Sequence, residues 1–286
     1  MKIKNLFYFI LVTTASLNFF IKPLAFSQAE EEKSLIGFAN YLFEKGHYYQ
    51  AVTEYERFIY FNPHHPSIPE ARLKIAYCYK LGEQYERAIE LFQNLLDEYP
   101  DQEVGKEAAY QVGKCYYLSS DYELALIKFK NFIENNPHHT LREKAQWEMA
   151  WAYIYLEDYS SASNQLLLIK EGSLYQKPSQ ELARALKKLP QLPQKSPLLA
   201  GLLSALIPGA GHFYTGKKKQ ALFSFITNSL LFFGSYEAFS KDLYTAGGFL
   251  SFFSLNYYSG TILGALNNAH KFNRKVREKY LEGFKK

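Results

Sequence analysis

Residues 76–100 read AYCYKLGEQYERAIELFQNLLDEYP, and residues 113–137 read GKCYYLSSDYELALIKFKNFIENNP. The two align without a gap at a shift of 37. Each opens on a small residue, Ala76 or Gly113. Tyr85 or Tyr122 stands nine positions on, Ala88 or Ala125 three further, and Pro100 or Pro137 closes the stretch. The columns continue outward in both directions. Upstream they hold Ala39, Tyr48, Ala51 and Pro63; downstream they hold Ala150, Tyr159 and Ala162, with no closing proline. Self-similarity at one fixed period is the signature of a repeat architecture.

Stereochemistry gives each column a reason. Apolar residues at three-to-four spacing predict two helices per unit, over roughly 33–45 and 48–61 in the first. Small residues at both contact points let the first helix of a unit (helix A) approach the second (helix B). Tyr55, Phe92, Phe129 and Leu166 lie on one face of helix B, and Phe58, Leu95, Phe132 and Ile169 extend that face. Asn62-Pro63, Tyr99-Pro100 and Asn136-Pro137 end helix B, because proline lacks an N–H and restricts the residue before it. Gly46, Gly82, Ser120 and Asp158 supply the turn within each pair.

These columns resemble the tetratricopeptide repeat family, over residues 33–170 in units 33–69, 70–106, 107–143 and 144–170. The resemblance implies an all-α, superhelical solenoid of about four helix pairs. It also implies that helix A lines a groove, which makes Asn40, Tyr77, Lys114 and Trp151 one candidate row and Lys80, Tyr117 and Ile154 the next. Leu73, Tyr110 and Trp147 flank them. Such aromatic surface with scattered amines suits an extended or helical peptide, so the expected partner is a protein or peptide ligand in the groove. The 37-residue form is similar to exported envelope members of the family.

Composition changes sharply beyond the repeats. Residues 171–196 read as a capping helix over Pro178–Leu189 and a Pro-rich linker, in which Pro190 and Pro193, with Pro197 just beyond, stiffen the chain. Residues 197–266 are almost devoid of charge, which predicts a C-terminal α-helical transmembrane domain over 197–270. Gln220–Phe239 and Leu243–Leu266 are each long enough to span a lipid bilayer, and 197–214 is either a third span or a re-entrant element. Pro208, Gly209, Gly211, His212, Tyr214 and Gly216 form a stretch that resembles the glycine-rich turn of small bacterial membrane domains built on helical hairpins. Gly260 and Gly264 make a small-residue face through which a homo-oligomer could pack. Lys217-Lys218-Lys219 and a basic tail over 271–286 favour the cytoplasmic side.

Lys2, Lys4 and the apolar run from Leu6 to Leu17 read as an export signal over 1–29, either cleaved near Ala25-Phe26-Ser27 or retained as an anchor. Together these features predict a bacterial inner-membrane protein with its repeats in the periplasm.

Several function classes are set aside. A net charge of +5 without a basic stripe argues against nucleic acid. Cys78 and Cys115 are too few for a disulfide framework and read as buried apolar fillers. His64-His65 and His138-His139 repeat a turn rather than assemble a metal site. No phosphate loop, nucleophile elbow or zinc-protease motif is present, so no cofactor and no catalytic residue is expected. The leading expectation is a non-enzymatic membrane-anchored scaffold. A second reading makes the membrane domain itself the active part in envelope assembly or transport. A third makes it a membrane hydrolase using His212 with Glu237.

Overall fold

The structure is a computed structural model that describes residues 36–285. The chain divides into two compact units, Met1–Ser179 and Gln180–Lys286.

The first unit is a stack of helix pairs. α1 covers 36–44 and pairs with α2 (Tyr48–Phe61). α3 (Ile68–Leu81) pairs with α4 (Tyr85–Glu98), α5 (Glu103–Leu118) with α6 (Tyr122–Asn135), and α7 (Arg142–Tyr155) with α8 (Tyr159–Leu167). The all-α solenoid of helix pairs predicted from the period is what forms. The expected export signal over 1–29 lies outside the described residues.

The small column is fully enclosed at Ala39, Ala76 and Ala150, opposite the likewise enclosed Ala51, Ala88, Ala125 and Ala162. Tyr55, Phe58, Phe92 and Phe129 fill the space those small side chains leave. At Gly113 a Cβ would lie 2.8 Å from the Phe129 ring, so the ring occupies that volume itself. Cys78 and Cys115 are free thiols buried in two different core clusters. Burial pushes both up to about 12, so neither supplies a thiolate near neutral pH.

Each of the first three B helices stops where expected, with Asn62, Tyr99 and Asn136 leaving the helical region (ψ 59, 48 and 63°) before proline. The histidine that follows is a turn device. His65 Nδ1 accepts from the Ser67 N–H and His139 Nδ1 from the Leu141 N–H, both at 3.1 Å. Their rings lie edge-on to Phe58 and Phe132.

The turn inside each pair differs from expectation in two of the four units. The left-handed residue is Gly46, Glu83, Ser120 and Glu157, at φ 76, 61, 66 and 60°. These are again 37 apart. Gly82 has an ordinary φ of −82° and merely caps α3. Asp158 instead caps α8, its carboxylate accepting from the Ser161 N–H at 3.0 Å.

α9 (Gln176–Lys188) runs across the boundary into the second unit, which continues with a 3-10 turn at Leu189–Gln191. It holds α10 (Pro197–Leu206), α11 (Ala210–Tyr214), α12 (Lys218–Ser240) and α13 (Tyr244–Glu282). α12 and α13 run antiparallel. Asn228 Nδ2 donates to Thr261 Oγ1 at 3.1 Å, and Ser235 Oγ lies 3.3 Å from the Gly247 carbonyl.

Three expectations change here. No helix among the described residues is long and apolar enough to cross a membrane. The reason lies in α12 and α13, whose apolar runs are diluted by Thr227, Asn228, Ser229, Ser254, Asn256 and Ser259. Residues 197–214 cannot form one span, because Gly209 at φ 90° splits them into helices of 10 and 5 residues. The basic tail is no separate segment, since α13 continues through Lys271 and Arg274 to Glu282.

Candidate functional site

The A helices present a groove of about 590 Å³ lined by Phe43 of α1, by Leu73, Lys74, Tyr77 and Lys80 of α3, and by Glu107 of α5. Every other lining residue also comes from α3 or α5. The face is therefore made by equivalent positions on successive A helices, which the 37-residue period keeps in register.

The predicted rows are only partly accessible. Asn40 is exposed and accepts from the Tyr55 hydroxyl at 2.6 Å. Tyr77, Lys80, Lys114, Tyr117 and Trp147 are half-buried, whereas Tyr110, Trp151 and Ile154 are buried. Tyr110 packs on Phe129 and Phe132. Trp147 lies against Trp151 and Tyr175, and Tyr117 against Tyr122 and Tyr155.

A polar network that the sequence reading overlooked ties the row together. The Tyr77 hydroxyl donates to Glu107, while Gln111 Nε2 donates to the Tyr77 hydroxyl oxygen at 2.7 Å. Lys80 Nζ donates to Gln111 Oε1 at 2.6 Å. One unit on, Lys114 Nζ and the Tyr110 hydroxyl both donate to the Glu148 carboxylate, at 2.6 and 2.9 Å. Glu148 is 7% exposed. Burial, then the bond to Glu107, holds the Tyr77 hydroxyl well above the ordinary phenol range, and burial with the Glu148 charge does the same for Tyr110. Both hydroxyls therefore remain donors. Burial lowers the Lys80 amine to about 8.

Over this network sits a file of lysines laid on rings. Lys74 Nζ lies 5.0 Å from the Phe43 ring centre, Lys80 4.3 Å from Tyr77, Lys114 4.8 Å from Tyr117, and Lys144 5.5 Å from Tyr110. Each is within cation–π reach. Lys74, Lys80 and Lys144 have no ion-pair partner among the described residues.

The glycine-rich motif is likewise a built element. A Cβ on Gly209 would meet the Ala221 carbonyl oxygen at 2.3 Å, and one on Gly211 the Ala200 carbonyl oxygen at 1.9 Å. Both glycines allow backbone to lie on backbone. Gly216 turns the chain into α12 at φ 80°. Pro208 precedes the turn, and the Tyr214 hydroxyl accepts from the Ser196 N–H at 3.1 Å. His212 is buried above Gly264, its Nδ1 2.9 Å from Asn268 Nδ2. Gly264 thus packs inside the unit, while Gly260 has open space where a side chain would stand.

From α10 to residue 270 of the second unit the buried side chains are small or polar, with Ala200, Ala265 and Ala269 beside the polar ones, and the large apolar side chains are turned outward. Ser204, Thr215, Ser224, Asn228, Ser235, Ser254 and Thr261 are buried, while Leu222, Phe223, Leu230, Phe233, Phe249 and Phe253 are each more than half exposed.

Among the described residues no group of three or more His, Cys, Asp or Glu side chains could hold a metal ion.

A period-37 stack of helix pairs with an A-helix groove defines the class: a helical-repeat interaction scaffold. The family model described as tetratricopeptide repeat matches residues 70–101 and 107–139, so the chain carries tetratricopeptide repeats. Among solved structures it is similar to a tetratricopeptide repeat protein from Parabacteroides merdae (15% identity, covering 90% of this chain and 100% of that one, TM-score 0.45). It is similar to the apo form of RapI (13%, 85% and 85%, 0.44) and to the tetratricopeptide-like repeats of a kinesin light chain from Podosopora anserina (16%, 56% and 95%, 0.43). No curated protein matches it in sequence.

Proposed function

We propose that the repeats bind an extended, acidic segment of a protein partner along the A-helix face, and that the second unit holds them at a lipid bilayer on the periplasmic side of a bacterial inner membrane. The observation that carries the first half is the file of lysines over aromatic rings on the successive A helices α3, α5 and α7. Amines there can donate to carboxylates and backbone carbonyls, while the rings beneath accept apolar side chains. Nothing in this task asks for bond breaking, and the scaffold acts without catalysis.

The bilayer half rests on the inverted second unit. Small and polar side chains facing one another with Leu and Phe turned outward is how helices pack in lipid, where apolar contact alone gives no preference for the interior. Averaging hydropathy along α12 or α13 mixes those two faces.

Site-specific photo-crosslinking in cells tests the reading. Benzophenone residues at Lys74 and Lys144 are expected to give one discrete adduct each, of the same protein. Placed at Glu90 and Lys130, on helix B, they are expected to give none. Equal adducts from both sets would overturn it.

A further inference from the structure

Where α11, α12 and α13 meet, a pocket of about 620 Å³ opens, lined by His212, Lys219, Gln220, Asn267, Asn268 and Lys271. Every polar group it gathers is neutral or cationic; no carboxylate lines it. Lys219 and Lys271 are exposed and have no ion-pair partner among the described residues. They are far apart in sequence, and the antiparallel pairing of α12 with α13 brings both to one end of the hairpin.

The pocket's inner wall is pre-organised. His212 is 6% exposed. Asn268 Nδ2 donates to its Nδ1 at 2.9 Å and to Gln220 Oε1 at 3.0 Å. A neutral ring that accepts at Nδ1 carries its proton on Nε2, and Nε2 has no partner among the described residues. The buried ring therefore offers one free donor at a site bearing two ammonium groups.

The surroundings decide between kinds of anion. Phe223 closes one side of the pocket and is 66% exposed. It begins the outward apolar band that continues through Ile226, Leu230 and Phe233 along α12. A soluble phosphate has no use for that band, whereas a lipid phosphate stands at the boundary between polar groups and acyl chains.

We infer that this pocket receives the phosphate of an anionic phospholipid, with Lys219, Lys271 and His212 as donors and the acyl chains lying along the Phe223 side of α12. The inference rests on the bilayer half of the proposed function.

The test is equilibrium binding of the full chain to phosphatidylcholine vesicles with and without phosphatidylglycerol. Vesicles containing the anionic lipid are expected to bind about tenfold tighter. A Lys219→Gln/Lys271→Gln variant should lose most of that preference, and Asn268→Ala, which removes no charge, part of it. Lys217→Gln/Lys218→Gln removes the same charge outside the pocket and should lose clearly less. Equal losses from the two double variants would reduce the effect to surface charge and overturn the pocket. Tight binding to both vesicles without preference would leave bilayer attachment standing and overturn the pocket alone. Binding to neither would overturn both. Glycerol 3-phosphate in free solution binding as well as the lipid would reassign the site to a soluble phosphate.

Discussion

Lys114 lies 2.6 Å from the Glu148 carboxylate, 34 residues on, and Tyr77 meets Gln111 at 2.7 Å across the same interval one unit earlier. The two contacts are one structural position filled by different chemistry. In the later unit it is an ion pair that also takes up the buried Tyr110 hydroxyl. Removing the carboxylate leaves an ammonium and a phenol with no acceptor inside a shielded interface. Glu148→Ala should therefore lower stability by about 2–3 kcal/mol, and Glu148→Gln by about 1, since an amide oxygen still accepts from Tyr110. Urea unfolding followed by tryptophan fluorescence checks this, with the midpoint moving and the slope unchanged.

Lys80 makes the groove sensitive to pH. Its folded value of about 8 lies below the unfolded value of roughly 10.4, because burial disfavours the ammonium. Between those values the unfolded chain binds more protons, so stability rises with pH across that window. Lys80→Met should remove this rise, and the wild type should gain on the variant between pH 7.5 and 10 (a range set by about 8 and roughly 10.4). An acidic ligand held by Lys80 should weaken as pH climbs through about 8.

The turns give opposite effects at equivalent positions. Glu83 sits at φ 61°, where a Cβ is strained, and Gly46 at φ 76°, where none is present. Glu83→Gly should stabilise by about 0.5–1 kcal/mol, and Gly46→Ala should destabilise by about 1–2 kcal/mol. Thermal unfolding of both variants settles the comparison.

In the second unit, Gly211→Ala would drive a Cβ into the Ala200 carbonyl and break the Gly211 N–H bond to Ser204 Oγ at 3.1 Å. Proteolysis between 196 and 216 should accelerate by an order of magnitude or more. Gly260→Ala, with open space around it, should leave the rate unchanged.

How much of this was legible in the sequence differs between the units. In the repeats, Ala76, Tyr85, Ala88 and Pro100 each reported a local constraint, so their columns marked helix ends and contacts well. The left-handed turn residue was missed at Glu83 because the neighbouring Gly82 looked the better candidate, and tertiary closure rather than propensity chose between them. On the groove, ranking columns by aromatic and basic type picked out Tyr77, Lys80 and Lys114. It passed over Glu107, Gln111 and Glu148, which are neither aromatic nor basic. The spacing held the signal, since 77 to 111 and 114 to 148 join facing columns of successive A helices. Burial of Tyr110, Trp151 and Ile154 depends on what lies above each helix, which a single column does not record. In α12 and α13 the hydropathy of a window could not tell that Asn228 and Ser254 face inward while Phe233 and Phe253 face out.

The claim at the centre of the account is that the lysine-bearing A-helix face takes an acidic segment. Peptides selected from a random library on the full chain, then measured by fluorescence anisotropy against Lys80→Glu, Lys144→Glu and the helix-B control Lys130→Glu, test it most directly. The account predicts acidic selected peptides, with affinity falling at least about tenfold for each of the first two variants and unchanged for the third. Peptides without acidic bias, or equal weakening by all three variants, would contradict it.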